Sequence, residues 1–214
     1  MNFRIGIYDL FSRIIPGGFY LLAFEEFARV LGWAKFDWEM LKDIGILPSA
    51  GLLIFAYVLG LAMDWLASRW QRIFKKRGVS NSAFERFKQL HADRWIIDFE
   101  DKDWPILRAY IYIHDPVVGE ETDRFNALSV MLRNLSLGLA LLTVSVMIQF
   151  VNMNDSRILI LAAMLLFFSY QVAIQSRNQR YWFYSYILEV IVAYRLNLEE
   201  RIKLVKTSSK KKQL

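Results

Sequence analysis

The stretch Asn134–Ser176, "NLSLGLALLTVSVMIQFVNMNDSRILILAAMLLFFSYQVAIQS", carries its only charged side chains, Asp155 and Arg157, at a short turn, "NMNDS". On either side lie two uncharged windows, Asn134 to Asn154 and Ile158 to Ser176. At a rise of 1.5 Å per residue, each is near the ~20 apolar residues that cross a ~30 Å hydrocarbon layer as a helix. The runs are continuous rather than alternating, which excludes strands of a membrane barrel. So short a turn makes the pair an antiparallel transmembrane hairpin.

Working toward the N-terminus, Ile44 to Met63 is a third uncharged window. Overall the chain is 55% hydrophobic in 214 residues, with a positive mean hydropathy, above the apolar share of ordinary soluble chains. A fourth candidate, "IIPGGFYLLAFEEFARVLGW" from Ile14 to Trp33, places Glu25, Glu26 and Arg29 late in the run. Charges at the centre of a span cost about 2.5–3.5 kcal/mol each, against the few tenths gained per apolar residue, so these side chains must face protein or water. At 100° per residue, Gly18, Arg29 and Gly32 share the face of Glu25, while Phe19, Tyr20, Ala23, Phe27 and Val30 lie opposite. The first face is therefore expected to meet protein or water, or to hold Glu25 paired with Arg29 at i,i+4.

Counting four crossings puts 23 of the 27 Lys and Arg residues on one side: Arg4 and Arg13, twelve from Arg69 to Arg133, and nine from Arg177 to Lys212. This positive-inside asymmetry predicts a membrane protein with both termini in the cytoplasm. The expected fold is all-α, a polytopic membrane protein with four transmembrane helices and a cytoplasmic helical subdomain. Residues 1–13 form an interfacial helix that bends at Pro16 and Gly17, 14–68 hold transmembrane helices 1 and 2, and 69–133 form a cytoplasmic helical loop. Residues 134–176 are the hairpin of helices 3 and 4, 177–206 an amphipathic helix, and 207–214 a basic tail. No cleavable signal peptide is expected.

The loop has its own punctuation. Ser82 and Glu85 make a capping-box pattern, and Asp103-Trp104-Pro105 opens a helix with Ile106, Tyr110 and Ile113 on one side. A further helix is expected to start near Glu120 and run into the third span. No glycine or proline follows Gly138, so the fourth span can continue unbroken along Phe183, Ile187, Val190, Tyr194, Leu198, Ile202 and Val205.

Small residues four apart, Ala56 and Gly60 in span two and Ser136 and Ala140 in span three, join Gly18 and Gly32 as helix-packing candidates. Asp64 is expected to pair with Arg69 or cap the bundle. Lys75, Lys76, Arg77, Arg177 and Arg180 suit contact with anionic lipid or a partner. His91 and His114 lack the spacing of a metal site, and with no cysteine no thiolate chemistry is open to the chain. No P-loop, dinucleotide fingerprint, nucleophile elbow or zincin motif occurs, so no catalytic residue, metal or cofactor is expected and the chain reads as a non-enzyme.

The motifs "YDLFSRIIPGGFYLL" and "YVLGLAMDWL", with Tyr8, Asp9, Ile15, Pro16, Gly17, Tyr57 and Gly60, resemble small bacterial four-span membrane proteins associated with anti-phage defence, either Kiwa-type membrane subunits or membrane effectors. The resemblance implies a membrane sensor or anchor that oligomerises in the lipid bilayer and serves a cytosolic protein partner, nucleic acid not being a direct ligand. The alternative it implies is an oligomeric channel or membrane-depolarising effector.

Overall fold

The computed structural model describes residues 7–33, 45–74, 79–90, 104–153 and 155–211, those beyond Tyr194 as backbone only. Its seven helices are α1 (Ile7–Val30), α2 (Ile46–Ala62), α3 (Asp64–Ile73), α4 (Val79–Leu90), α5 (Trp104–His114), α6 (Pro116–Met153) and α7 (Ser156–Lys211), with no strand among the described residues. The protein is all-helical. By length and composition α6 and α7 can each cross a membrane, and α2 with α3 makes a third candidate, bent by 46° at Met63. Two to three candidate spans thus stand where four were expected. Arg13, Glu25, Glu26 and Arg29 leave α1 too charged to join them on composition alone.

The chain divides into two compact units. The first comprises residues 1–76 and 126–179, the second residues 77–125 and 180–214, so α6 and α7 contribute to both.

In the first unit small and polar side chains are inside and large apolar ones outside. Ser129, Arg133, Asn134, Ser136, Ser169 and Ser176 are buried, whereas Leu53, Ile54, Phe55, Ile160, Phe167 and Phe168 are exposed. Such a distribution is costly in water and favourable in hydrocarbon, where every polar group must find a partner inside the protein. The apolar window of α6 is 44% buried and that of α7 only 17%, making α6 the central helix and α7 a peripheral one.

Two reciprocal serine pairs join α6 to α7. Ser136 Oγ donates to the Ser169 carbonyl and Ser169 Oγ to the Ser136 carbonyl, both at 2.8 Å. One heptad away, Ser129 Oγ donates to the Ser176 carbonyl at 3.1 Å and Ser176 Oγ to the Ser129 carbonyl at 2.8 Å. A hydroxyl reaches the opposite main chain only where two helices come very close, which these small side chains permit. From α3, Trp70 Nε1 donates to Ser136 Oγ at 3.0 Å and Gln71 Nε2 to Ser176 Oγ at 2.9 Å, so both pairs are read by a third helix.

Helix α1 is continuous from Ile7 to Val30, with Pro16 inside it. Its buried face is Ser12, Pro16, Tyr20 and Ala23. The Tyr20 and Ala23 side meets protein, because the phenol finds a partner on α6, and the Gly18 and Glu25 side lies along an open groove beside α2. Gly17, not Gly18, makes the close approach. A Cβ on Gly17 would fall 1.8 Å from the Ala56 carbonyl oxygen, whereas one on Gly18 would meet nothing within 4 Å. The Ala56 and Gly60 spacing serves this same α1–α2 crossing, since a Cβ on Gly60 would lie 2.2 Å from the Arg13 carbonyl oxygen. Gly32 does not pack against a helix. At φ 71° it ends α1, its N–H donating to the Arg29 carbonyl and that of Trp33 to the Ala28 carbonyl, a Schellman cap.

The second unit has the opposite polarity. Phe87, Trp104, Ile111, Phe183, Ile187, Leu188 and Ile191 form its core, flanked by Leu107, Val118 and Phe125. Helix α6 starts at Pro116, earlier than expected, because Asp115 Oδ1 accepts from Val117 N at 3.0 Å and Val118 N at 3.2 Å while Pro116 needs no partner for its nitrogen. Gly119 lies inside that helix, where a Cβ would strike the Tyr112 ring at 2.8 Å. Helix α4 begins at Val79, so Ser82 and Glu85 lie within it. In α5 the inward residues are Trp104, Leu107 and Ile111, while Ile106 and Ile113 point outward, contrary to the expected apolar side. Helix α7 continues unbroken to Lys211, taking most of the basic tail into the helix.

Gly17→Ala should lower the thermal midpoint of the detergent-solubilised protein, by an overpacking cost of about 1–3 kcal/mol, and Gly18→Ala should leave it unchanged. Thermal unfolding followed by circular dichroism checks both.

Candidate functional site

Asp64 stands at the bend between α2 and α3, the first residue of α3. Its Oδ1 faces Arg13 Nη1 of α1 at 2.8 Å and Arg133 Nη2 of α6 at 2.6 Å, and accepts from Asn134 Nδ2 at 2.8 Å. The Tyr20 hydroxyl lies against Asn134, 2.8 Å from its carbonyl oxygen and 3.2 Å from Oδ1. A single carboxylate is thus shared by α1, α3 and α6. Two guanidinium groups on one carboxylate leave an excess positive charge, and Arg133 is buried while Asp64 and Arg13 keep partial access to solvent. The expected Asp64–Arg69 pair does not form. Arg69 stacks on the Trp65 ring with its guanidinium carbon 3.9 Å from the centroid.

Arg13, Tyr20, Arg133 and Asn134 were not singled out in the sequence. A signal was present, because Asp64 and Arg133 each border an uncharged window and Arg13 precedes the apolar start of the Ile14–Trp33 run. Ser129, Ser169 and Ser176 were missed too, although serine recurs at seven residues in both hairpin helices.

The polar stripe Glu25, Glu26 and Arg29 resolves into two parts. Arg29 pairs with Glu26 at i,i+3, not with Glu25. Glu25 instead lines the groove between α1 and α2 together with Ile15, Gly18, Leu22 and Leu52. Of the small residues, Ser136 and Ala140 are both buried in α6. Arg177, expected to touch lipid or a partner, donates Nη1 to the Phe74 carbonyl at 2.5 Å and so closes the end of α3. Arg180 lies near Tyr184, 3.4 Å from its hydroxyl. Lys75, Lys76, Arg77 and His91 lie outside the described residues. His114 is held at the end of α5 by its Nδ1 contact of 3.0 Å to the Tyr110 carbonyl. Among the described residues no three His, Asp or Glu side chains converge as a metal site.

The second unit carries a polar cluster and an apolar face. Asp123 of α6 pairs with Arg108 and accepts from the Tyr112 hydroxyl, both of α5. Burial, then the bond to Asp123, pushes the Tyr112 hydroxyl up to about 12. Arg108 is likewise raised by Asp123, against the lowering effect of its own burial. The cluster fixes α5 on α6 and leaves Ile106, Ile113 and Val117 facing outward, at 67%, 78% and 75% exposure. Three aliphatic side chains are this open beside a core that already satisfies the unit.

Two outcomes follow. Asp64→Ala should destabilise the solubilised protein by about 2 kcal/mol, between the ~0–1 of exposed pairs and the 3–5 of buried ones, while Arg69→Ala should not. Equal effects in chemical denaturation would contradict the shared carboxylate. For Tyr112, a folded value above the unfolded ~10 means that folding favours the neutral phenol. Its contribution is whole below pH 10 and lost as pH rises through about 12. A spectrophotometric difference titration of the parent against Tyr112→Phe should therefore remove one late-ionising phenol.

No protein-family model, characterised protein or solved structure matches the chain.

Proposed function

We propose that the protein is a non-enzymatic integral inner-membrane protein that assembles through its spans and presents its second unit to a cytosolic protein partner, as membrane sensor or anchor in bacterial antiviral defence. In this reading α1 is a fourth crossing, made tolerable by pairing Arg29 with Glu26 and Arg13 with Asp64, and both termini are cytoplasmic. The observation that carries it is the second unit itself: an aromatic and aliphatic core of the kind built for water, with Ile106, Ile113 and Val117 left uncovered. The Lys and Arg bias of the segments flanking the apolar windows supports the side on which it lies. The setting in defence rests on the resemblance of the Tyr8-Asp9, Pro16-Gly17 and Tyr57-x-x-Gly60 motifs.

A second reading, an oligomeric channel or membrane-depolarising effector, is favoured by the charges that the first unit keeps among apolar helices. It requires ion leakage from vesicles holding the protein, altered by Arg29→Gln.

For the leading reading, Ile106→Glu with Ile113→Glu alters the exposed face without touching the core. Affinity purification from the native host should lose a stoichiometric cytosolic partner with this variant, while membrane insertion and helical content stay as in the parent. Unchanged recovery of that partner would remove α5 from the docking surface.

A further inference from the structure

The crossing of α1 on α2 is tight at one end and open at the other. Gly17 against Ala56 and Gly60 against Arg13 set an antiparallel register, and this register carries Glu25 toward the first turn of α2. Along the open side runs a groove of about 450 Å³, within the roughly 300–1,000 Å³ of small-molecule sites. Its walls are Ile14, Phe19, Leu22, Leu52 and Leu53, and Gly18 leaves the floor clear, since a Cβ there would meet nothing. Glu25 is the one charged residue among the described lining.

The nearest cation is already engaged, because Arg29 is held by Glu26. The trio Glu25, Glu26 and Arg29 thus carries one net negative charge, and its unpaired member is the one turned to the groove. Among the described residues Glu25 makes no ion pair. A carboxylate beside hydrocarbon is costly unless a donor meets it. An apolar slot with Glu25 among its lining residues is complementary to an amphiphile with a cationic head.

We propose that the α1–α2 groove binds one bilayer phospholipid with a primary-amine head group, its acyl chain along the apolar walls and its ammonium on the Glu25 carboxylate. Charge complementarity selects the head group. A primary ammonium offers three N–H donors to the carboxylate, a quaternary ammonium offers none, and an uncapped anionic head is repelled. The inference rests on the first unit residing in a bilayer and is independent of any cytosolic partner.

The full chain, purified in mild detergent, is incubated with equal amounts of phosphatidylethanolamine, phosphatidylcholine and phosphatidylglycerol, and the retained lipid is measured by native mass spectrometry. One phosphatidylethanolamine per chain is expected, preferred about tenfold over the other two, the size of one charge-assisted hydrogen bond. Glu25→Gln should abolish the preference while still retaining a lipid, and Gly18→Leu should fill the groove and retain none. Helical content and gel-filtration volume establish folding of both variants, and if Gly18→Leu does not fold, Glu25→Gln alone decides. Equal retention of the three lipids by the parent, or an undiminished preference in Glu25→Gln, overturns the proposal. So does a lipid-free dimer that Gly18→Leu dissociates, which would make a second chain the occupant. Ile106→Glu with Ile113→Glu serves as a control that leaves lipid retention unchanged, keeping this result separate from partner docking.

Discussion

The Asp64 carboxylate ties together three helices, α1, α3 and α6. In an apolar solvent, hydrophobic burial does not drive one helix onto another, and packing with buried polar contacts must do so. Arg13, Arg133 and Asn134 all converge on Asp64, which places α1 beside α6 and sets α3 at its bend from α2. The position of α3 in turn brings Trp70 and Gln71 onto the two serine pairs. The site therefore acts less as an isolated ion pair than as the junction from which the first unit's order follows. A hydrophobic replacement at any one corner would leave the remaining charges without compensation.

The two units solve opposite solvation problems with one chain. The first buries serine, asparagine and arginine and displays leucine and phenylalanine; the second buries phenylalanine, tryptophan and isoleucine. Helices α6 and α7 change allegiance along their length. On α7 the polar Ser169 and Ser176 give way to Phe183, Ile187 and Leu188 as the buried side chains. Such a switch is what a helix passing from hydrocarbon into water would require, and it is sharper than the hydropathy of the sequence, which averages both faces.

Composition was enough to read the helical hairpin, because uncharged windows of that length have few alternatives. The unbroken α7 was equally legible, since no glycine or proline interrupts it. Which face of α1 packs on α6 was not legible. Periodicity groups residues by angle but does not say which face is covered, and a tyrosine whose hydroxyl finds Asn134 is more valuable inside than outside. The start of α6 lies at Asp115-Pro116 and not near Glu120, because an aspartate cap followed by proline is the stronger helix-start signal. Partners of Asp64 lie far away in the chain, and no local rule links Arg13 to Arg133. The proximity of Arg69 in sequence suggested a pair that the helix geometry directs elsewhere, onto Trp65.

The serine seam has a property that its close fit conceals. A slip of one heptad along the antiparallel helix pair would still set Ser129 against Ser169, keeping one serine pair while Ser136 faced Ala162. The repeat thus specifies spacing and contact more firmly than alignment. What breaks the tie is the tightness of the turn between Met153 and Ser156, together with the anchors that α3 drives into Ser136 and Ser176. The turn is accordingly a ruler as much as a connection, and residues added there would have their effect as a displaced alignment many turns away.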